Sequence, residues 1–304
     1  MAHIPVLCNE VCALFANLQG VVIDCTLGFG GHSAAILATN PHVRIIGIDR
    51  DSETMRMACV NLARFGERFT AHWGCFGDIG ALLDSIDSKP VAGILADLGV
   101  SSYHLDTSAR GFGFRSETLD MRMDQQQILS AKEIVNRYPK DELERIFRRG
   151  EVRQHKKLAA LLCERRKQKP FESARELSEL IAQHMPHATL HPATLAFQAL
   201  RIEVNDELGQ LARLLESARG KTQILAIIAF HSLEDSMIKQ SFRDFAKSCV
   251  CPPFAARCTC GNNHALGEIL TKKPMTPSAE EVANNPRARS AKLRAFRFYA
   301  KENQ

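Results

Sequence analysis

The amino-acid sequence predicts a doubly wound α/β fold interrupted by a helical insertion, and three observations lead there. Continuous apolar runs, rather than alternating ones, recur at Val21–Asp24, Val43–Ile48 and Val91–Leu95. Unbroken runs of this kind are what strands need when both faces of a sheet are covered. Helical patterns follow the first two runs, and strands alternating with helices imply a parallel sheet. The pattern then breaks: from about Tyr103 to about Asp206 the signals are mostly helix and loop, and strand character returns at Thr222–Phe230 and Lys292–Tyr299. The expected organisation is a sheet domain in two parts, 1–104 and 209–304, with a helical insertion over 105–208.

Taken in order, the first strand stops at Asp24 and enters a turn with Gly28, Gly30 and Gly31, after which a helix is expected near Ser33. The second strand ends at Asp49 and the third at Asp97, with a helix predicted over Ser52–Phe65. Ligands of open α/β sheets sit beyond the carboxyl ends of the strands, where the strand order reverses. A glycine turn there lets backbone come close to a ligand and offers N–H groups at a helix N-terminus. A carboxylate at the position of Asp49 can accept hydrogen bonds from both ribose hydroxyls of an adenosine. Two cofactors fit this frame, a dinucleotide and S-adenosylmethionine. The dinucleotide pattern G-x-G-x-x-G would need glycine at position 33, where Ser33 stands. S-adenosylmethionine has no pyrophosphate to hold, and its ammonium group suits an acid such as Asp24 or a nearby carbonyl. The glycines alone could make only a tight turn; Asp49 at ribose spacing favours a bound cofactor.

The stretch Gly93–Asp124 is dense in hydroxyls (Ser101, Ser102), aromatics (Tyr103, Phe112, Phe114) and arginines (Arg110, Arg115, Arg122). Aromatic side chains in a basic loop suit a stacked, extruded base, although the same rings would equally well pack on the insertion. Three helices are expected in the insertion, over "DELERIFRRG", "VRQHKKLAALLCERRKQK" and "SARELSELIAQHM". Arg145, Arg148, Arg149, Arg153, Lys156, Lys157, Arg165, Arg166 and Lys167 crowd them, giving either a solvated face or phosphate contacts. "NPRARSAKLR", with Arg287, Arg289, Lys292 and Arg294, is a second basic cluster, next to an expected strand. His231 and Glu234 in "FHSLED" have the make-up of a general-base pair, but a role in orienting the substrate loop is preferred.

Composition sets bounds. The chain has 304 residues, 45% hydrophobic and 24% charged, with a net charge of +5 that fits a polyanionic partner without proving one. There is no apolar run long enough for a membrane span. The first residues lack a charged and then apolar leader pattern, so a cytoplasmic location with reduced thiols is expected. Of ten cysteines, Cys249, Cys251, Cys258 and Cys260 form two C-x-C pairs. They are either four thiols in a surface loop or the ligands of one zinc ion.

The motifs "HIPVLCNEV", "GFGGHS", "GIDRD", "ADLGVSS", "RGFGF" through "LDMRMD", "HPATLAFQALRIEVNDEL", "FHSLED" and "NPRARSAKLR" run in this order from Ile4 to about Arg294. Together they resemble the bacterial methyltransferases that make N4-methylcytosine in small-subunit (16S) ribosomal RNA. The resemblance implies a class I S-adenosylmethionine-dependent methyltransferase fold, Rossmann-like, with an inserted helical substrate-recognition domain. It implies methylation of a specific cytosine in the decoding region. Free ribosomal RNA or the assembled small subunit would be the partner, no membrane is involved, and a homodimer is allowed. By the same resemblance Gly30, Gly31, His32, Asp49 (ribose), Phe76 (near adenine) and Asp97 contact the cofactor. The family's usual glutamine in that set is His104 here, which leaves one contact altered. Arg110, Phe112, Arg122, Arg287 and Arg289 are the residues expected to meet RNA. Asp97 is the candidate catalytic acceptor for an amino proton, with cofactor binding as its alternative role. The "PPY" found after the strand-end acid in many nucleic-acid amino-methyltransferases is absent. A DNA amino-methyltransferase, a nucleotide-binding oxidoreductase and a catalytically silent assembly factor are the competing readings.

Overall fold

A computed structural model describes residues 5–86, 90–185, 191–252 and 257–300. It resolves into two compact units, one formed by 1–99 with 209–304 and the other by 100–208.

The first unit is built on a seven-stranded sheet: β1 (Gly20–Asp24), β2 (Val43–Asp49), β3 (Phe69–Trp73), β4 (Val91–Asp97), β5 (Thr222–Ala229), β6 (Gly267–Ile269) and β7 (Lys292–Phe298), in the order β3-β2-β1-β4-β5-β7-β6. The strands β3, β2, β1, β4 and β5 run parallel, and β7 pairs antiparallel with β5 and with β6. Strand order reverses between β1 and β4, which puts the switch point at the ends of those two strands. Both faces are covered, as the unbroken apolar runs predict. One face packs Val22, Ile45, Leu95 and Ile228 against Val11, Phe15, Ile36 and Leu62 from the helices Cys8–Phe15, Gly31–Thr39 and Ser52–Leu62. The other packs Ile23, Ile94, Leu225 and Ile227 against Ile79, Leu83, Leu214 and Ile238. Each such side chain, moved fully out of water, contributes roughly 1.5–3 kcal/mol. This is the Rossmann-like α/β architecture expected for the chain.

Two strands lie outside the sequence expectation. In β3 nearly every residue is exposed, because it is an edge strand paired on one side only, so it has no apolar run to read. The three-residue β6 is too short for any period to show. Two helix boundaries also differ. The first helix starts at Gly31 rather than near Ser33, and the next ends at Leu62, with a 3-10 segment continuing to Arg68.

The second unit is helical, with helices Ala131–Arg137, Lys140–Arg149, His155–Gln168, Ala174–His184 and Thr194–Asn205. Its core is its own: Leu143, Phe147, Leu158, Leu162, Phe171, Leu177, Ile181 and Leu200 are all buried together. Ser130 and Ser173 cap their helices by accepting from the N–H groups of Glu133 and Glu176, which satisfies donors that the helix itself cannot pair. Gly150 follows one helix where a Cβ would come within 2.3 Å of Ala199 on another, so only glycine fits that approach.

Candidate active site

Parallel register brings the three strand-end acids to the same end of the sheet, and each meets a different environment. Asp24 is only 1% exposed. Ser33 Oγ donates to its Oδ2 at 2.6 Å and the Thr26 N–H to its Oδ1 at 3.3 Å. Burial raises its pKa, with the hydrogen bonds and the nearby His32 opposing. Asp24 therefore ties the start of the Gly31–Thr39 helix to β1.

Asp49 is half-buried and accepts from the N–H of Gly28 at 2.7 Å and of Asp51 at 2.8 Å. These bonds fix the glycine turn to the end of β2. Each carboxylate oxygen can accept more than one hydrogen bond, so the arrangement is compatible with a vicinal diol. In the turn, Gly28 (φ +52°) and Gly30 (φ +80°) adopt left-handed backbone. A Cβ on Gly30 would stand 2.7 Å from Leu62 Cδ1. Gly30 is also the N-cap of the Gly31–Thr39 helix, and no side chain caps that end. Its leading N–H groups are the kind of donors that bind a ligand.

Asp97, at the end of β4, is anchored by its backbone: its N–H donates to Thr26 Oγ1 at 2.6 Å. Its Oδ2 lies 3.5 Å from His32 Nε2. Oδ1 is buried and has no hydrogen-bond partner among the described residues, an acceptor with its capacity unfilled. His32 is itself buried, which acts to lower its pKa. The hydrogen bond and charge of Asp97, helped by the charge of Asp24, outweigh burial and leave it raised. Phe76 is half-buried at the start of the short 3-10 segment Phe76–Asp78 and packs on the core. Left-handed glycine backbone, an uncapped helix start, a carboxylate at the end of β2 and an unfilled acceptor at the end of β4 fit an adenosine-bearing cofactor with a polar tail. Thr26, the residue that joins β1 to β4, escaped the sequence reading. Its signal was a hydroxyl placed two residues after a strand-end acid.

In the helical unit the expected RNA-binding residues divide. Arg110 is 2% exposed and donates from Nη2 to the carbonyls of Arg122 and Met123 at 3.1 and 2.8 Å. Arg122 forms a two-pronged bond to Asp120, both contacts 2.8 Å, and reaches the Gln127 carbonyl at 2.7 Å. Phe112 is buried in the helical core, and His104 lies over it at 5.1 Å between ring centroids. His104 Nδ1 stands 3.2 Å from Ser101 Oγ. These side chains serve the interior of the loop. Among the nine cations of the insertion, Arg145 pairs with Glu142 and Glu203, and Arg166 binds the Val135 carbonyl. Arg148, Arg149, Arg153 and Lys156 are exposed.

The C-terminal basic motif splits in the same way. Arg287 and Arg289 are exposed on the 3-10 segment Pro286–Ser290. Arg294 and Lys292 instead bind Asp235 at 2.6 and 3.0 Å. His231 and Glu234 form a capping box at the start of the helix Ser232–Phe245, in which the Glu234 carboxylate also accepts from the Phe230 N–H at 2.8 Å. A helix cap, not a base pair, is what "FHSLED" encodes. No helix among the described residues is long and apolar enough to cross a membrane.

Comparison with known proteins follows the same lines. The model of the MraW methylase family matches residues 1–299. A protein of Wolinella succinogenes called ribosomal RNA small subunit methyltransferase H is 52% identical over 303 residues, covering 97% of this chain and 98% of the relative. Proteins of the same name from Helicobacter pylori strain Shi470 and from a Nitratiruptor species are each 50% identical, with coverage of 97% or more on both sides.

Proposed function

The chain belongs to the MraW methylase family, and we propose on that premise that it methylates N4 of a specific cytosine in the decoding region of small-subunit ribosomal RNA. It is a methyltransferase, and S-adenosylmethionine is its methyl donor; when bound, the donor supplies a methyl group activated on a sulfonium. The residues of the sheet unit divide the remaining work. Gly30 and Gly31 give close approach at the helix start, Asp49 takes the ribose hydroxyls, and Phe76 lies against the adenine. The Asp97 carboxylate accepts a proton from the cytosine amino group, while His32, 3.5 Å from its Oδ2, keeps it oriented. Cytosine N4 is a weak nucleophile because its lone pair is delocalised into the ring, so removing a proton helps it to pyramidalise. Alignment of the reacting atoms at roughly 3–3.5 Å lowers the barrier further. The exposed cations Arg148, Arg149, Arg153, Lys156, Arg287 and Arg289 are assigned to RNA phosphates, which give affinity without reading sequence. The work is placed in the cytoplasm.

The observation that supports this most is the unfilled Asp97 acceptor beside a cofactor-shaped glycine turn, in a chain half identical to ribosomal RNA methyltransferases over nearly its whole length. The test is transfer of tritium from labelled S-adenosylmethionine into naked ribosomal RNA, assembled small subunits or DNA. Nucleoside mass spectrometry of ribosomal RNA from a strain lacking the protein completes it. Label in RNA or subunits and loss of an N4-methylcytidine species in that strain are the expected results. Label in DNA, or an unchanged nucleoside profile, overturns the assignment.

A further inference from the structure

The four clustered cysteines are not used by the reaction, yet they converge. Sγ of Cys249 lies 3.7 Å from Sγ of Cys258 and 3.7 Å from Sγ of Cys260, and Cys258 and Cys260 are 3.6 Å apart. With Cys251, all four sulfurs lie within 4.8 Å of one another. A regular tetrahedron with Zn–S bonds of about 2.3 Å has sulfur–sulfur edges of about 3.8 Å. Disulfide sulfurs, by contrast, are about 2.05 Å apart. We propose that Cys249, Cys251, Cys258 and Cys260 bind one structural zinc ion.

Three further features support the site. Backbone donors already point at the sulfurs: the Val250 N–H at Cys260 Sγ, 3.4 Å, and the Thr259 N–H at Cys251 Sγ, 3.3 Å. Such donors stabilise charge on ligating sulfur and orient it, as supporting contacts of metal sites do. The turn after the second pair is built for a knuckle, with Gly261 at φ +82° and Asn262 at φ +54°. His264 Nε2 lies 2.8 Å from the Cys260 carbonyl, which holds that turn against the following chain. Cys249 and Cys258 are exposed, so apolar burial does not account for the gathering of the thiols. Four thiolates brought this close repel one another unless a dication lies among them.

The position says what the metal is for. The stretch between the helix Ser232–Phe245 and β6 is closed at its base, where the Leu266 N–H donates to the Phe245 carbonyl at 2.8 Å and the His264 N–H to Ser248 at 2.9 Å. Zinc closes it again at the cysteines, and so anchors the last strands of the sheet edge, where Phe245 packs on Phe296 and Phe298. Four sulfur ligands leave no coordination position for water or substrate, so the ion takes no part in methyl transfer.

The test uses the full chain, purified without a histidine tag under reducing conditions. Elemental analysis should give about one zinc per chain. Displacing it with a mercurial and adding cobalt(II) should give the thiolate charge-transfer bands and d–d bands of a tetrahedral sulfur site. The double variant Cys258→Ser, Cys260→Ser should lose the metal. Zinc far below one per chain in the wild type overturns the proposal, as do iron in its place, disulfides among these cysteines, or full zinc retained by the double variant. Should the variant fail to fold, stoichiometry and the cobalt spectrum of the wild type decide.

Discussion

The glycine turn after β1 and the loop from Arg110 to Gln127 look alike as sequence, since both are short, polar and rich in glycine or arginine. Their hydrogen bonding differs. In the loop the charged groups find partners inside the same stretch: Arg110 on the carbonyls of Arg122 and Met123, Arg122 on Asp120 and Gln127. Asn205 closes it from a helix, donating to the Met121 carbonyl and accepting from the Met123 N–H. In the turn, the helix start has no side-chain cap and Asp97 keeps a buried oxygen with no partner among the described residues. Buried polar atoms are nearly always paired in a finished structure. On the proposed reading the loop serves as framework and the turn is where a ligand would complete the bonding.

That contrast can be broken or sharpened by substitution. The largest expected effect is at the unsatisfied acceptor. Asp97→Asn should lower turnover by about a hundredfold, as loss of a positioned proton acceptor does. Calorimetric affinity for S-adenosylmethionine should fall less; equal losses would make Asp97 a cofactor ligand only. Next comes the loop. Arg110→Met leaves two carbonyls without their charged donor and should cost about 2–3 kcal/mol of stability in urea unfolding. A variant as stable as the wild type that binds RNA poorly would return Arg110 to the RNA surface.

A smaller change is expected at an exposed cation. Arg289→Gln should leave the unfolding midpoint unchanged and weaken RNA binding across sequences, reducing the slope of log affinity against log salt by about one. An unchanged slope removes Arg289 from the phosphate contacts. The smallest effect is the pH response of His32. Its pKa in the fold is raised above the ordinary 6.5, through Asp97 and Asp24 and with Cys12 adding to them. The stabilisation from protonated His32 is thus complete below about pH 6.5 and lost as pH rises through the raised value. The melting-temperature gap between wild type and His32→Gln should be widest at acid pH and narrow above neutrality. A gap that widens with pH contradicts the assignment.

Most of the sheet could be read from the chain because buried parallel strands are unbroken apolar runs. Its two edges, β3 and β6, could not, because an edge strand is half exposed or very short. The positions of the candidate residues were readable because they sit at fixed offsets from strand ends: Asp49 and Asp97 close β2 and β4, and the glycines follow β1. What composition could not tell was which charges already have partners. Arg289 and Arg294 stand in one motif, yet only the first is exposed, because Asp235 comes from a helix 59 residues away in the chain to meet the second. Asp24 and Asp97 likewise end neighbouring strands, yet the carboxylate of the first is tied by Ser33 while that of the second faces His32.

The bond from the Asp97 amide to the Thr26 hydroxyl has a consequence for divergence within the family. The height at which this carboxylate stands is set by the first strand, a part of the molecule remote in sequence from the insertion. Loops and helices downstream of Asp97 can lengthen, change charge or take on new contours without altering the bond that ties Asp97 to the turn. Choice of target and delivery of the methyl group are thereby free to evolve as separate characters.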